Sequence, residues 1–135
     1  MGLLNNVSFQ RLQAGIDAAN KRQSVLANNV ANNDTPNFKR SDVSFESLLR
    51  QQESGLKSTL NAKISDSRHF QFGSATAIPS AVVTTDHTTS MNNNDNNVDM
   101  DREMALSAEN QLRYNSYVHL INSDITKMRT AVEGR

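Results

Sequence analysis

The sequence predicts a mainly α fold: an elongated pair of long terminal helices packed as a coiled-coil-like hairpin, with a short amphipathic helix and an irregular or small β segment between them. Three observations predict it. Apolar and small residues recur at steps of three and four near both ends of the chain, the spacing of one helix stripe. The middle of the chain is crowded with Asn, Ser, Thr and Asp and shows no such period. Hydrophobic residues make up 36% and aromatic residues 5% of 135 positions, with no Trp, which is too little for a large core and suits a rod better than a ball. The organisation implied is a long helix over 1–35, a turn and short helix over 36–55, and a loop-like or small β segment over 56–97. A second long helix over 98–135 forms one structural domain with the first.

In the first helix the stripe starts at Phe9 and passes through Leu12, Ile16, Ala19, Gln23, Leu26 and Val30. Leu12, Ile16, Leu26 and Val30 are its candidate packing residues, and Gln23 is a polar interruption. The helix should stop near Asn33, because Pro36 lacks an N–H and pushes Thr35 toward extended backbone. Ser41 to Glu53 then reads as a short amphipathic docking arm. Ser41 or Asp42 would cap it, Phe45, Leu48 and Leu49 form its apolar face, and Gly55 would end it. Leu56 to Val83 holds two strand-like scraps, HFQF and AVV, too short for a sheet domain. Thr84 to Asn97 offers almost nothing to bury and reads as a surface loop.

The second long helix carries the stronger stripe, through Tyr114, Val118, Ile121, Ile125, Met128 and Val132, broadened by Leu112, Tyr117 and Leu120. Asp99 is its expected N-cap, and Asp101 and Glu103 sit where the positive end of the helix dipole favours carboxylates. Lys127 and Arg129 fall in its last turns, and Gly134 can end it. Two helices of about 25 to 33 residues would be roughly 40 to 50 Å long. Packed only on each other, they leave much of each stripe in water. The sequence therefore favours a subunit that completes its core by association over a hairpin covered by its own middle segment.

Several kinds of chemistry are unsupported. Fourteen basic residues balance fourteen acidic ones, so no net field draws in nucleic acid or anionic lipid. No cysteine is present, which removes thiolate catalysis, disulfides and Cys-ligated zinc. His69, His87 and His119 are far apart and in no ligand spacing. Asp95, Asn97, Asp99 and Asp101 alternate like a calcium loop, but Met100 and Leu106 stand where that loop needs Gly and Glu. Neither a phosphate loop nor a nucleophile elbow occurs, and Lys39 and Arg40 read as a solvated turn. No apolar run reaches the about 18 residues of a membrane span. Arg11, the first basic residue, follows Leu3 and Leu4, so no Sec-type signal is expected. No catalytic, metal or cofactor site is expected.

One segment is unexplained by these rules: Leu26-Ala-Asn-Asn-Val-Ala-Asn-Asn-Asp-Thr-Pro-Asn-Phe-Lys39. Ala27 and Ala31, four apart, permit close backbone approach, and Asn28 and Asn32 can hydrogen-bond along the next ridge. Read from its residues alone, it is either a tight helix-packing surface or an Asn-rich helix end followed by a Pro turn.

The run ANNVANNDTPNFK resembles the signature of bacterial flagellar rod and hook proteins, a long helix ending in ANNxANxxTPG followed by an aromatic residue. DVSFESLL and VDMDREMALSAENQLRYN extend the likeness to a short proximal-rod member of that family, over roughly 9–53 and 98–132. The resemblance implies an assembly signature at Ala27, Asn28, Asn29, Ala31, Asn32, Thr35, Pro36 and Phe38. Asn37 replaces the usual Gly, and Asn tolerates the positive φ such a turn needs. The resemblance further implies a structural, non-enzymatic rod subunit near the MS ring in the periplasm, exported without a cleavable signal by the flagellar type III apparatus. Its partners would be copies of itself, rod proteins of the FlgC, FlgF and FlgG type, a FliE-type adapter and the MS-ring protein, with no direct membrane insertion. The rival readings are a non-flagellar coiled-coil adaptor or export chaperone, and a small Asp/His hydrolase.

Overall fold

The computed structural model describes residues 6–58, 78–91 and 93–134. Five elements follow in order: α1 (Val7–Ala31), β1 (Ser41–Ser44), α2 (Glu46–Ser58), β2 (Val82–Thr85) and α3 (Met100–Glu133). The long helices α1 and α3 pack against each other along an antiparallel seam. Near one end, Asn29 of α1 reaches Glu103; farther along, Asn110 Nδ2 donates to the Ala19 carbonyl at 3.0 Å. Toward the other end Gly15 lies so close to the Tyr117 ring that a Cβ there would stand 3.1 Å from it. A side chain at this position would need the ring to give way by a few tenths of an ångström.

The ends of α3 are set by local chemistry. Asp99 accepts hydrogen bonds from the N–H groups of Asp101 and Arg102, and Gly134 adopts φ 67° to close the last turn onto Thr130. α1 starts at an Asn6 cap and ends at Ala31, two residues before Asn33. Asn32 and Asn33 turn instead, and Asn37 takes φ 60° as its chemistry allows.

The region after the turn departs from the sequence expectation. Ser41–Ser44 is a strand, not the start of a helix, because its backbone pairs antiparallel with β2, Ser41 opposite Thr85 and Ser44 opposite Val82. α2 accordingly begins at Glu46 and runs on through Gly55 to Ser58. A helical Gly costs only about 1 kcal/mol relative to Ala, not enough to stop it. The AVV scrap supplies β2, while HFQF lies outside the described residues. α2 is tied to α1 by two ion pairs, Arg22 to Glu46 at 2.6 Å and Arg11 to Glu53 at 3.1 Å.

The apolar core is small: Leu26, Val43, Phe45 and Val98 lie toward the end where α1 stops and α3 starts, and Ala18 and Ala19 at the middle of α1. Beyond Asn110 no described residue of α3 is buried. Along the seam Leu12, Ile16, Val30, Tyr114, Val118, Ile121 and Met128 are half-covered, whereas Ile125 and Val132 are 45% and 72% exposed. One partner helix covers only one side of a broad stripe. Among the described residues, no helix is long and apolar enough to cross a membrane.

Candidate assembly interface

What holds the seam in place is a polar joint rather than the stripe. Glu103 is wholly buried, and its carboxylate is divided between two elements. Oε1 accepts from Arg40 Nε at 3.0 Å, and Oε2 accepts from Asn29 Nδ2 at 2.9 Å. Asn29, also wholly buried, donates to the Ser41 carbonyl at 2.8 Å and accepts from the Ser41 N–H at 3.0 Å. One amide thus pairs with the first residue of β1 as a strand would, while holding α3. Arg40 is 9% exposed, and its Nη2 has no hydrogen-bond partner among the described residues, with the Asp42 carboxylate 3.8 Å away. Charges this deep are tolerated when both are paired and hydrogen-bonded.

Two consecutive asparagines complete the joint. Asn96 Nδ2 donates to the carbonyls of Asn32, Asn33 and Thr35 at 2.8 to 2.9 Å, tying the turn after α1 to the segment that leads into α3. Asn97 Oδ1 accepts from the Arg40 N–H at 2.6 Å, and its Nδ2 donates to the Asp86 carbonyl at 2.9 Å. Lys39 Nζ donates to the carbonyls of Thr89 and Asp95 at 2.9 and 2.7 Å. Three expectations are therefore corrected. The Thr84 to Asn97 segment is not merely solvated, since Asn96 and Asn97 are buried. Lys39 and Arg40 are not a free basic turn but the anchors of that segment. Glu103 serves the tertiary joint and not only the helix dipole.

A second ionic cluster lies on the flank. Glu46 accepts from Arg22 Nη1 at 2.9 Å and Nη2 at 2.6 Å, and from Arg113 Nη1 at 2.8 Å, joining α2 to both long helices. Partial burial would raise its carboxyl pKa, but the Arg22 hydrogen bonds and the charges of both guanidiniums outweigh this and hold it at about 2. On the loop, the Thr88 and Thr89 hydroxyls and the Thr88 N–H hold Asp86 at about 2 as well. Gln23, the interruption in the α1 stripe, bonds Ser107 and accepts from Asn110, so the seam is polar at that level.

The signature residues divide into two groups. Asn29, Asn32 and Thr35 make bonds within the chain: Asn32 Nδ2 donates to the Asn28 carbonyl, and the Thr35 hydroxyl to Asn32 Oδ1. Phe38 is half-buried behind the turn. Ala27, Asn28, Ala31 and Pro36 face outward, so the intrachain bond across the helix pair is made by Asn29 and not by Asn28 or Asn32. Among the described residues, no group of three or more His, Asp or Glu is placed to hold a metal ion; His87 and His119 are exposed, and His69 lies outside them. The joint itself is built from bonds between separate elements. It fixes the angle and register of two helices and presents their outer faces.

Two measurements check this account of the joint. Replacing Glu103 by Ala strands Arg40 in the interior and should cost about 3–5 kcal/mol in urea unfolding at neutral pH, whereas the paired exchange Glu103→Leu with Arg40→Met should recover at least half of that. For Glu46 the folded pKa lies below the ordinary value of 4.5. Its contribution to stability is therefore complete above about pH 5 and fades as the pH falls toward about 2. Asp86 titrates in the same window, so the readout is the difference between the parent chain and Glu46→Gln. That difference should shrink on acidification, and a pH-independent difference would contradict the assignment.

Comparison with known proteins agrees with the geometry. The family described as flagella basal body rod protein matches residues 12–39, which span most of α1 and the turn after it. The flagellar basal body rod protein FlgB of Bacillus subtilis is 38% identical over 127 residues, covering 94% of each chain. That of Borreliella burgdorferi is 41% identical over 114 residues, covering 73% of this chain and 76% of its own. That of Aquifex aeolicus is 32% identical over 116 residues, covering 85% and 84%. With a joint that orders two long helices and such relatives along most of its length, the chain belongs to the FlgB family of flagellar basal body rod proteins.

Proposed function

We propose that the chain is a structural subunit of the proximal rod, assembling through its terminal helices to link the MS ring to the rest of the rod and to transmit torque. The observation that carries this reading is the uncovered apolar surface of α3, where Leu112, Leu120, Ile125 and Val132 are 45% to 72% exposed on a helix of 34 residues. A monomer gains nothing from that surface, while a wall of packed helices buries it at every contact. Rigidity at the joint suits torque, because a helix pair locked in register by a buried ion pair resists sliding.

The partners that follow are further copies of the chain, rod proteins of the FlgC, FlgF and FlgG type, and a FliE-type adapter with the MS-ring protein at the base. The flagellar type III export apparatus would deliver the chain to the periplasm without a cleavable signal. No enzymatic step and no cofactor belong to this role.

The test replaces the cell's own copy with a tagged chain and isolates basal bodies. The parent chain should copurify with the rod. Ile125→Asp changes an exposed position and should alter the stability of the isolated chain by less than about 0.5 kcal/mol, yet abolish incorporation and swimming. Normal swimming with Ile125→Asp, or parent chain missing from basal bodies, would contradict the proposal.

A further inference from the structure

The β1–β2 ribbon has two outer edges, and only one of them is closed. Ser41 exchanges both of its backbone groups with the Asn29 amide and so leaves none for Thr85 opposite it, while the Asp86 N–H donates to the Arg40 carbonyl at 3.0 Å. The ladder bonds therefore join Asp42 with Thr84 and Ser44 with Val82, and the backbone groups of Ser41, Val43, Val83 and Thr85 point away from the ribbon. On the β1 side each of these is satisfied: Ser41 by Asn29, the Val43 carbonyl by Arg22 Nη2 at 3.1 Å, and the Val43 N–H by Asp42 Oδ1 at 2.7 Å. On the β2 side the N–H and C=O groups of Val83 and Thr85 have no partner among the described residues.

Nothing in β2 guards that edge. Its sequence, VVTT, is β-branched throughout, carries no charge and no Pro, and is exposed along its whole length, Val82 at 46% and Val83 at 40%. Natural sheets blunt an edge that is left to water with charge, Pro or a bulge. The opening has definite limits: the Ala81 carbonyl before it accepts from Lys21 Nζ at 3.1 Å, and the Asp86 carboxylate after it is held by Thr88 and Thr89. Val83 shares a face with Val43 opposite it, which is 4% exposed, so the buried face of the ribbon stops short at β2. A third strand would carry that face on.

Resting on the rod reading above, we infer that the outer edge of β2 is a docking edge for an extended, uncharged segment of a different basal-body protein, which adds to the ribbon as a third strand. The open backbone groups of Val83 and Thr85 set its register, and an apolar side chain beside Val83 completes the buried face. A second copy of the chain does not supply such a segment from its described residues. Its β1 edge is closed by Asn29, Arg22 and Asp42. Two β2 edges can meet only about a two-fold axis, which like-oriented subunits stacked along a rod do not share. The lack of charge on β2 selects against a charged segment, whose groups would lose water without gaining partners.

The test uses tagged, full-length chain carrying the photoreactive amino acid benzoylphenylalanine in place of Thr84, which is exposed beside the open groups. Basal bodies are irradiated, and the labelled peptides are identified by mass spectrometry. A label on an uncharged stretch of a different protein is expected. Adding Val83→Pro removes one outward N–H and no ladder bond. It should leave the helix content of the isolated chain unchanged and reduce that label at least about tenfold, while Val83→Thr keeps it. Thr85→Pro should act alike. An undiminished label in both proline variants would reveal a neighbour that lies close without pairing, and would overturn the inference. A label confined to this chain, or none in basal bodies that contain it, would do the same. Failure of both proline variants to fold would show that these N–H groups serve the chain's own structure, and would overturn it too. Each of these results leaves the rod reading intact, whereas parent chain missing from basal bodies removes both.

Discussion

A carboxylate with no exposed surface, shared between an arginine from the turn and an amide from the first helix, is the constraint on which the rest of the structure depends. Glu103 cannot leave its site without stranding Arg40, and Asn29 cannot turn away without breaking both Glu103 and the backbone of Ser41. Apolar stripes of a long helix pair tolerate sliding by a turn, since one Leu or Ile replaces another at similar energy. A buried charge pair does not, because every shifted register leaves an ion in the interior without its partner. The joint therefore supplies what a sparse core cannot, one definite relation between α1 and α3.

This division of labour explains the proportions of the molecule. Most buried residues gather around the joint, where the end of α1, the β1–β2 ribbon and the start of α3 meet, and the far part of α3 is left half-covered. Asn96 and Asn97 do for the loop what hydrophobic side chains do elsewhere, as three carbonyls in the turn after α1 converge on one amide. A fold organised in this way keeps its outer helix faces free of internal duties. That is the property a subunit of a flagellar rod requires, because its remaining burial belongs to its neighbours.

The long helices were legible because they rest on periodicity and on local caps: Asp99, Gly134 and the turn before Pro36 act within a few residues of themselves. The strand at Ser41–Ser44 was not, since its cause is β2, some forty residues away, and the Asn29 amide. Short polar strands carry little pattern of their own, and tertiary pairing decides them. The joint was hidden for the same reason. Glu103 stands where a dipole-favouring carboxylate belongs, and nothing near it in sequence announces Arg40. Asn96 and Asn97 sit in a run that composition marks as loop, and their acceptors are backbone carbonyls, which have no letter in the sequence. The signature segment was found by its spacing and its resemblance, yet its two kinds of residue, those bonding inward and those facing outward, separate only in three dimensions.

The claim that the joint sets the register is tested most directly by the close approach of Gly15 to the Tyr117 ring, read as nuclear Overhauser contacts in the isolated chain. In the parent protein a single set of contacts between Gly15 and Tyr117 is expected. With Asn29→Leu, Arg40→Met and Glu103→Leu combined, the chain should keep its helix content while those contacts weaken and new ones appear one turn away, as the helices sample other registers. A triple variant that retains one unshifted set of Gly15–Tyr117 contacts would show that the apolar seam alone fixes the helix pair.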